Sequence, residues 1–213
     1  MDVVDKPSAR DKILCAATMA IRTNGFAGTS VDDLCAAAGV TKGAFFHHFK
    51  TKEDLGVAAA DNWGANTSEF FATAPYHRHA DPLDRVLAYI DFRKSILQGE
   101  LADFTCLVGT LVQETYARHP AIRDACERAI SNHAATLEAD IDAAMQARGM
   151  VADWTPASLA LHTQAVLQGA FILAKAKGGP AVAAASVEHL RRYVECLFKP
   201  ASPLTPASPL TPE

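Results

Sequence analysis

Residues 29–52, TSVDDLCAAAGVTKGAFFHHFKTK, constrain this chain more than any other stretch. Ser30 followed three residues later by Asp33 is a capping box, so a helix opens at Val31. Val31, Leu34, Cys35 and Ala38 recur at helical spacing, and Gly39 then supplies a residue able to take positive φ. Val40 plugs the angle, and Thr41 caps a second short helix. Phe45 and Phe49 turn to the core, leaving a surface that mixes Lys42, Gly43, Ala44, Phe46, His47 and His48. Two short helices joined by a three-residue turn with glycine form a helix-turn-helix, which lays its second helix in the major groove of double-stranded DNA.

The rest of the composition fits one broad class. A chain of 213 residues with 49% hydrophobic content is long enough for one or two buried cores. Alanine is abundant and no alternating apolar pattern persists, so an all-α protein is expected. No apolar run reaches the roughly 18 residues needed to span a membrane, and MDVVDKPSARD lacks the basic and apolar blocks of a signal peptide. No membrane partner and a cytoplasmic location are therefore expected. Five dispersed cysteines, Cys15, Cys35, Cys106, Cys126 and Cys196, read as reduced thiols on mostly apolar faces. Net charge is −4, yet residues 1–52 hold seven Lys/Arg against five Asp/Glu, whereas residues 53–213 hold thirteen against nineteen. The positive excess lies beside the helix-turn-helix, where phosphates must be met.

Start and stop signals divide the chain into about nine helices. The first runs from about Ser8 to Asn24, with Ile13, Leu14, Ala17, Ile21 and Phe26 on its buried side. Thr51 and Asp54 box the start of a long helix that reaches about Thr73, and APYHRHA is a loop. Asp81-Pro82, His119-Pro120 and Thr155-Pro156 each place a cap before proline at the first helical position. Gly99, Gly149 and Gly178 mark helix ends, and a last helix spans about Ala181 to Phe198. A three-helix DNA-binding domain is expected over 1–52, and a larger ligand-binding and dimerisation domain over 53–200. Residues 201–213, with the repeat ASPLTP, form a flexible Pro-rich tail.

The segment GFAGTSVDDLCAAAGVTKGAFFHHFKTKEDL, from Gly25 to Leu55, resembles the N-terminal pattern of the TetR family of bacterial transcriptional regulators. That pattern has a glycine-ended first helix and Thr-Ser opening the second. Lys-Gly-x-x-(aromatic)-x-(His/Tyr)-Phe-x-x-Lys then runs through the third. The resemblance covers residues 8–55; beyond that it rests on helix count and length. It implies an all-helical homodimer whose remaining helices hold a small-molecule pocket and the dimer face, with ligand binding usually weakening the hold on the operator. It also implies that Lys42, Gly43, Ala44 and Phe46 approach base edges while Thr29, Thr41, His48 and Lys52 hold phosphates. The chemistry agrees for Lys42, which can donate to guanine, and for Gly43 and Ala44, which permit close approach to a thymine methyl. His47 is a further candidate for DNA contact. Phe46 stands where tyrosine is usual, so a hydroxyl contact to phosphate is lost. Repressor and activator share this architecture.

Residues 56–200 should bury two surfaces. Apolar and small residues at Leu159, Val166, Leu167, Gly169, Ala170, Leu173, Val187, Leu190, Val194 and Leu197 give the last two helices an apolar character all round, which suits a four-helix dimer face. A two-fold dimer would set two recognition helices about 34–36 Å apart and require a near-palindromic operator. For the pocket the candidates are Trp63, Phe92, Phe104, Cys106, Thr110, His162, Gln168, Phe171 and Lys175, aromatic walls with a few polar groups for a small, mostly apolar effector. Trp154 reads as an anchor for a loop or helix start. Cys106 is expected in a first helical turn, where exposed N–H groups favour thiolate. FTCLVGTLVQE and QGAFILAKA also resemble segments of the family's electrophile-sensing repressors, in which a cysteine and a lysine at these places act together.

A cysteine-dependent enzyme is the rival reading, and a small-molecule carrier without DNA binding is another. No motif joins Cys, His and an orienting Asp, no Gly-rich phosphate loop appears, and neither a cofactor nor a metal is called for. His47 and His48 diverge by about 100° on a helix, and Cys126 and His133 are too sparse a pair for a metal.

Overall fold

The computed structural model describes residues 7–199, which form ten α-helices and one short 3-10 turn, with no strand among them. The helices are α1 (Ala9–Asn24), α2 (Val31–Ala38), α3 (Lys42–His48), α4 (Lys52–Ala72) and α5 (Pro82–Ser95). There follow α6 (Leu101–Phe104), α7 (Leu107–Thr115), α8 (Pro120–Ala147), α9 (Pro156–Lys177) and α10 (Ala181–Leu197). Local chemistry sets most of the starts. Ser8 with Asp11, Ser30 with Asp33, Thr51 with Asp54 and Thr155 with Ser158 all form reciprocal capping boxes. The Asp81 carboxylate accepts from the Leu83 and Asp84 amides ahead of Pro82. Between α2 and α3, Gly39 sits at φ 63°, and the Val40 N–H returns to the Cys35 carbonyl at 3.0 Å. The ASPLTP repeat and the tail lie outside the described residues.

Three expectations need correction. The APYHRHA stretch is not wholly irregular, because Pro75–Arg78 wind into a 3-10 turn. The count is ten α-helices against about nine expected, because a short helix, Leu101–Phe104, precedes the one that Cys106 opens, with Thr105 and Cys106 both extended between them. Thr105 closes α6 by donating both its N–H (3.1 Å) and its hydroxyl (2.7 Å) to the Leu101 carbonyl. With that end saturated, Cys106 starts a new helix. The third concerns length: α9, with mean hydropathy 1.3 over its best window, is long and apolar enough to cross a membrane by those two criteria alone. Its position argues otherwise, since it packs between α8 and α10 and carries buried Thr163 and Gln164.

Two apolar clusters organise the packing. The larger joins α5, α8, α9 and α10 around Tyr89, Ile90, Leu137, Ile141, Leu167 and Leu190. The other gathers Ile13, Leu14, Ile21, Leu34, Phe45, Phe49 and Leu55 of the first four helices with Leu107, Leu111, Ile122 and Cys126 of α7 and α8. The helix-turn-helix module is therefore not closed at residue 52. Its core continues into the segment that starts at Cys106.

Candidate nucleic-acid interface and internal cavity

The α3 surface presents Thr41, Lys42, Gly43, His47 and His48 to solvent, with Ala44 half-buried and Phe46 51% exposed. Phe45 and Phe49 are buried beneath and hold α3 against the module's core, as expected from the sequence. The Thr41 hydroxyl accepts from the Ala44 amide at 3.2 Å, which makes it the cap of this helix. Lys42 pairs with Asp32 of α2 at 2.7 Å, and both are well exposed. Such a pair contributes little to stability, so Lys42 can trade it for a base or phosphate at small cost.

Two nominated phosphate contacts do not face outward. Thr29 is buried, with its hydroxyl donated to the Gly25 carbonyl at 2.7 Å and its N–H to the Phe26 carbonyl. Lys52 turns its ammonium onto the Phe26 carbonyl and over the Phe26 ring. Both side chains brace the α1–α2 turn. The same turn is gripped from α7, where the Glu114 carboxylate accepts from the Phe26 amide (3.1 Å) and the Ala27 amide (2.9 Å). Gly25 permits this approach twice over: its φ is 81°, and a Cβ there would stand 2.5 Å from Glu114 Oε1.

A cavity of about 350 Å³ opens between the module and the helices behind it. Trp63, Phe104, Cys106, Gln168 and Phe171 line it, as anticipated. A smaller cavity of about 200 Å³ shares Cys106, Gln168 and Phe171 and adds Thr110, Glu114 and Lys175. Lys175 Nζ donates to Thr110 Oγ1 at 2.8 Å, and burial draws this ammonium below the ordinary lysine value, with Glu114 opposing. Two nominated residues are misplaced. Phe92 stacks behind the wall against Phe70, Phe71 and Tyr76, and His162 is exposed beside the Tyr193 ring. Trp154 packs edge-on against Phe198, where it anchors the start of α9 to the end of α10.

Most of the lining residues, several polar ones among them, were not nominated from the sequence. Arg22 and Thr18 reach the cavity from α1 of the helix-turn-helix module, and Arg93 reaches it from α5. Arg22 is only 7% exposed; its guanidinium lies 4.8 Å from the Trp63 ring centre, and its Nε has no hydrogen-bond partner among the described residues. His133 lies in the wall with Gln164. The Tyr89 hydroxyl accepts from the Gln164 amide (3.3 Å) and shares a hydrogen bond with His133 Nε2 (2.9 Å). Burial, reinforced by the nearby Arg93 charge, pushes the His133 imidazole down to about 3, so the ring is neutral. A polar residue inside an apolar helical pattern was the available signal, for example Arg22 in CAATMAIRTNGF, but periodicity cannot show what such a residue faces.

The apolar character of α9 and α10 also divides differently from the expectation. Leu159, Leu167, Ala170, Val187, Leu190 and Val194 are buried within the chain itself, and Val166, Gly169 and Leu197 are half-buried. The outward face instead carries Leu161, Ile172, Leu173 and Tyr193, of which only Leu173 was anticipated. Cys15 and Cys196 are exposed rather than set on apolar faces.

Comparison with known proteins agrees with this architecture. Residues 13–59 match the family profile described as "Bacterial regulatory proteins, tetR family", and residues 82–190 match "Tetracyclin repressor-like, C-terminal domain". An uncharacterized HTH-type transcriptional regulator from Lactococcus lactis is 26% identical over 175 residues, 82% of this chain and 87% of its own length. Over 80 residues, 38% of this chain and 40% of its own, the HTH-type transcriptional repressor NemR of Escherichia coli K12 is 30% identical. The crystal structure of reduced E. coli NemR superposes with TM-score 0.75 at 22% identity, covering 86% of this chain and 95% of that one, which is a likeness of fold. A TetR-family regulator from Agrobacterium tumefaciens gives TM-score 0.76 at 22% identity over 87% and 96% of the two chains. With one profile on the helix-turn-helix and another across half of its length, this chain belongs to the TetR family of DNA-binding transcriptional regulators and is not an enzyme.

Proposed function

We propose that this chain is a cytoplasmic, homodimeric repressor that occupies a near-palindromic operator and leaves it when a small molecule enters the cavity. Residues 1–52 read the DNA, and residues 53–200 hold the ligand and the partner. On α3, Lys42 donates to guanine, Gly43 and Ala44 permit close approach, and Phe46 meets a thymine methyl. Thr41, His47 and His48 lie along the phosphates. The dimer face is the exposed stripe of Leu161, Ile172, Leu173 and Tyr193 on α9 and α10.

What carries this reading is the shared wall. Thr18 and Arg22 of α1 line the cavity directly, while Glu114, on the helix that begins at Cys106, holds the backbone that follows α1. A ligand that favours one position of α1 against α4 and α7 thereby favours one spacing of the two recognition helices, by no more than its differential affinity for the two states. The test is selection of DNA from a random duplex pool by the purified full-length protein. Enrichment of paired half-sites about one helical turn, 10–10.5 base pairs, apart is expected, and a pool that stays random overturns the proposal.

A second signal has its own observation. Cys106 opens into both cavities, and the part-buried Lys175 ammonium lines one of them with it. An alkylating quinone entering there adds to the thiolate through a ring carbon, and the adduct fills the space a ligand would take. Cys106→Ser is expected to abolish release from the selected DNA by benzoquinone. Undiminished release in that variant ends this reading.

A further inference from the structure

The geometry points to a flat aromatic monocarboxylate as the class of ligand this cavity takes, its carboxylate on Arg22 and its ring between Trp63 and Phe171. This inference rests on the cavity being the effector site and adds the chemistry of what enters.

Arg22 is the reason. Arg22 is more than nine-tenths buried and its Nε finds no partner among the described residues, so it is a charge short of hydrogen-bond partners inside a mostly apolar space. Such a group is costly to desolvate unless a counter-charge joins it. Its neighbours supply little. Trp63 offers a ring face at 4.8 Å, and the Asp103 carboxylate, itself exposed, already accepts the Glu100 amide at 2.8 Å. A second guanidinium, Arg93, faces the same cavity from between the Phe71 and Phe171 rings. The remaining polar wall is neutral, His133 included, because burial keeps that ring unprotonated. Two arginines against one aspartate leave an excess of one positive charge, which a monoanion balances and a phosphate dianion overshoots. The planar fork of arginine matches the two oxygens of a carboxylate, and the aromatic walls match a flat apolar body. Because Arg22 belongs to α1, the acid grips the helix-turn-helix module itself.

The experiment uses full-length protein and three matched pairs of probes, benzoate, cinnamate and 2-naphthoate against benzamide, cinnamamide and 2-naphthamide, titrated calorimetrically. At least one acid is expected to bind about tenfold tighter than its amide, a preference that falls below about threefold in Arg22→Gln. The inference is overturned if no acid outbinds its amide, or if Arg22→Gln keeps the preference. Should circular dichroism show Arg22→Gln unfolded, Arg22→Lys decides in its place. Weaker acid binding with the order of acid over amide retained supports the assignment, and acid binding at wild-type strength overturns it. Retardation of the selected DNA, measured on the same preparation without probe, separates the two claims. DNA binding without acid preference sinks only the carboxylate, whereas acid preference without DNA binding sinks only the repressor.

Discussion

At the scale of single residues, His133 has the sharpest consequence. The unfolded chain protonates this imidazole near 6.5, whereas the folded chain does so only near 3. Between those values the unfolded state holds the extra proton. Stability is thus complete above pH 6.5 and falls as pH drops toward 3, at about 1.4 kcal/mol per unit. Wild type is expected to lose about 2 kcal/mol at pH 5 that His133→Asn does not lose, as urea denaturation at pH 5 and 7.5 would measure. Parallel losses in both proteins refute the neutral ring. Lys52 and Lys42 give a second contrast. With its ammonium bound to Phe26, Lys52→Met is expected to destabilise by about 1 kcal/mol and to change DNA affinity little. Lys42→Ala, on the exposed face, is expected to shift sequence preference with stability unchanged. Fluorescence anisotropy on selected and random duplexes, beside denaturation curves, checks both; a large uniform affinity loss for Lys52→Met restores it as a phosphate ligand. The difference between these lysines was not visible in the sequence. Caps such as Ser30 with Asp33 act over three residues and can be read locally. Where the Phe26 carbonyl points depends on packing between helices far apart in the chain, and that sets the fates of Thr29 and Lys52.

At the scale of elements, the same rule separates what was legible from what was not. Starts at Pro82 and Pro156 follow from a cap before proline, and the start at Pro120 from proline alone, since His119 makes no side-chain cap; φ is fixed and no N–H is missed. The start near Cys106 was also legible, whereas the short α6 before it, broken off at buried Thr105 with its hydroxyl on Leu101, was not. That break is what gives α7 its own direction and lets Glu114, two turns on, reach across to α1. The Glu114 clamp is testable as an element. In Glu114→Gln one oxygen remains to accept, and the new NH₂ faces an amide that also donates. Because Glu114 is exposed, the expected loss is only about 1 kcal/mol, concentrated at the turn. Hydrogen exchange of the Phe26 and Ala27 amides is expected to quicken about fivefold while the α8 amides keep their protection. Unchanged exchange at those two amides removes the clamp as the link between α7 and α1.

At the scale of the whole molecule, the packing of α9 decides what the protein can be. Its buried side joins α8 and α10, yet Leu161, Ile172 and Leu173 remain outside, beside Tyr193 of α10. Large apolar side chains left exposed on the last two helices suit contact with a partner. In the proposed dimer, a second copy related by a two-fold axis would cover these residues with its own and fix the separation of the two α3 helices. Leu173→Asp places a charge in that proposed contact and none in the chain's own core, since Leu173 is exposed in the single chain. The variant is expected to fold with unchanged helicity and to sediment as a monomer. Its affinity for paired half-sites should drop by about 10²–10⁴-fold, because the second contact is no longer held near the first by the partner. Affinity for an isolated half-site should stay as it was, since α3 and its supports at Phe45 and Phe49 lie in the other apolar cluster. A folded variant that remains dimeric moves the interface off this stripe, and a monomer that keeps full affinity for the paired site removes the dimer from DNA recognition altogether.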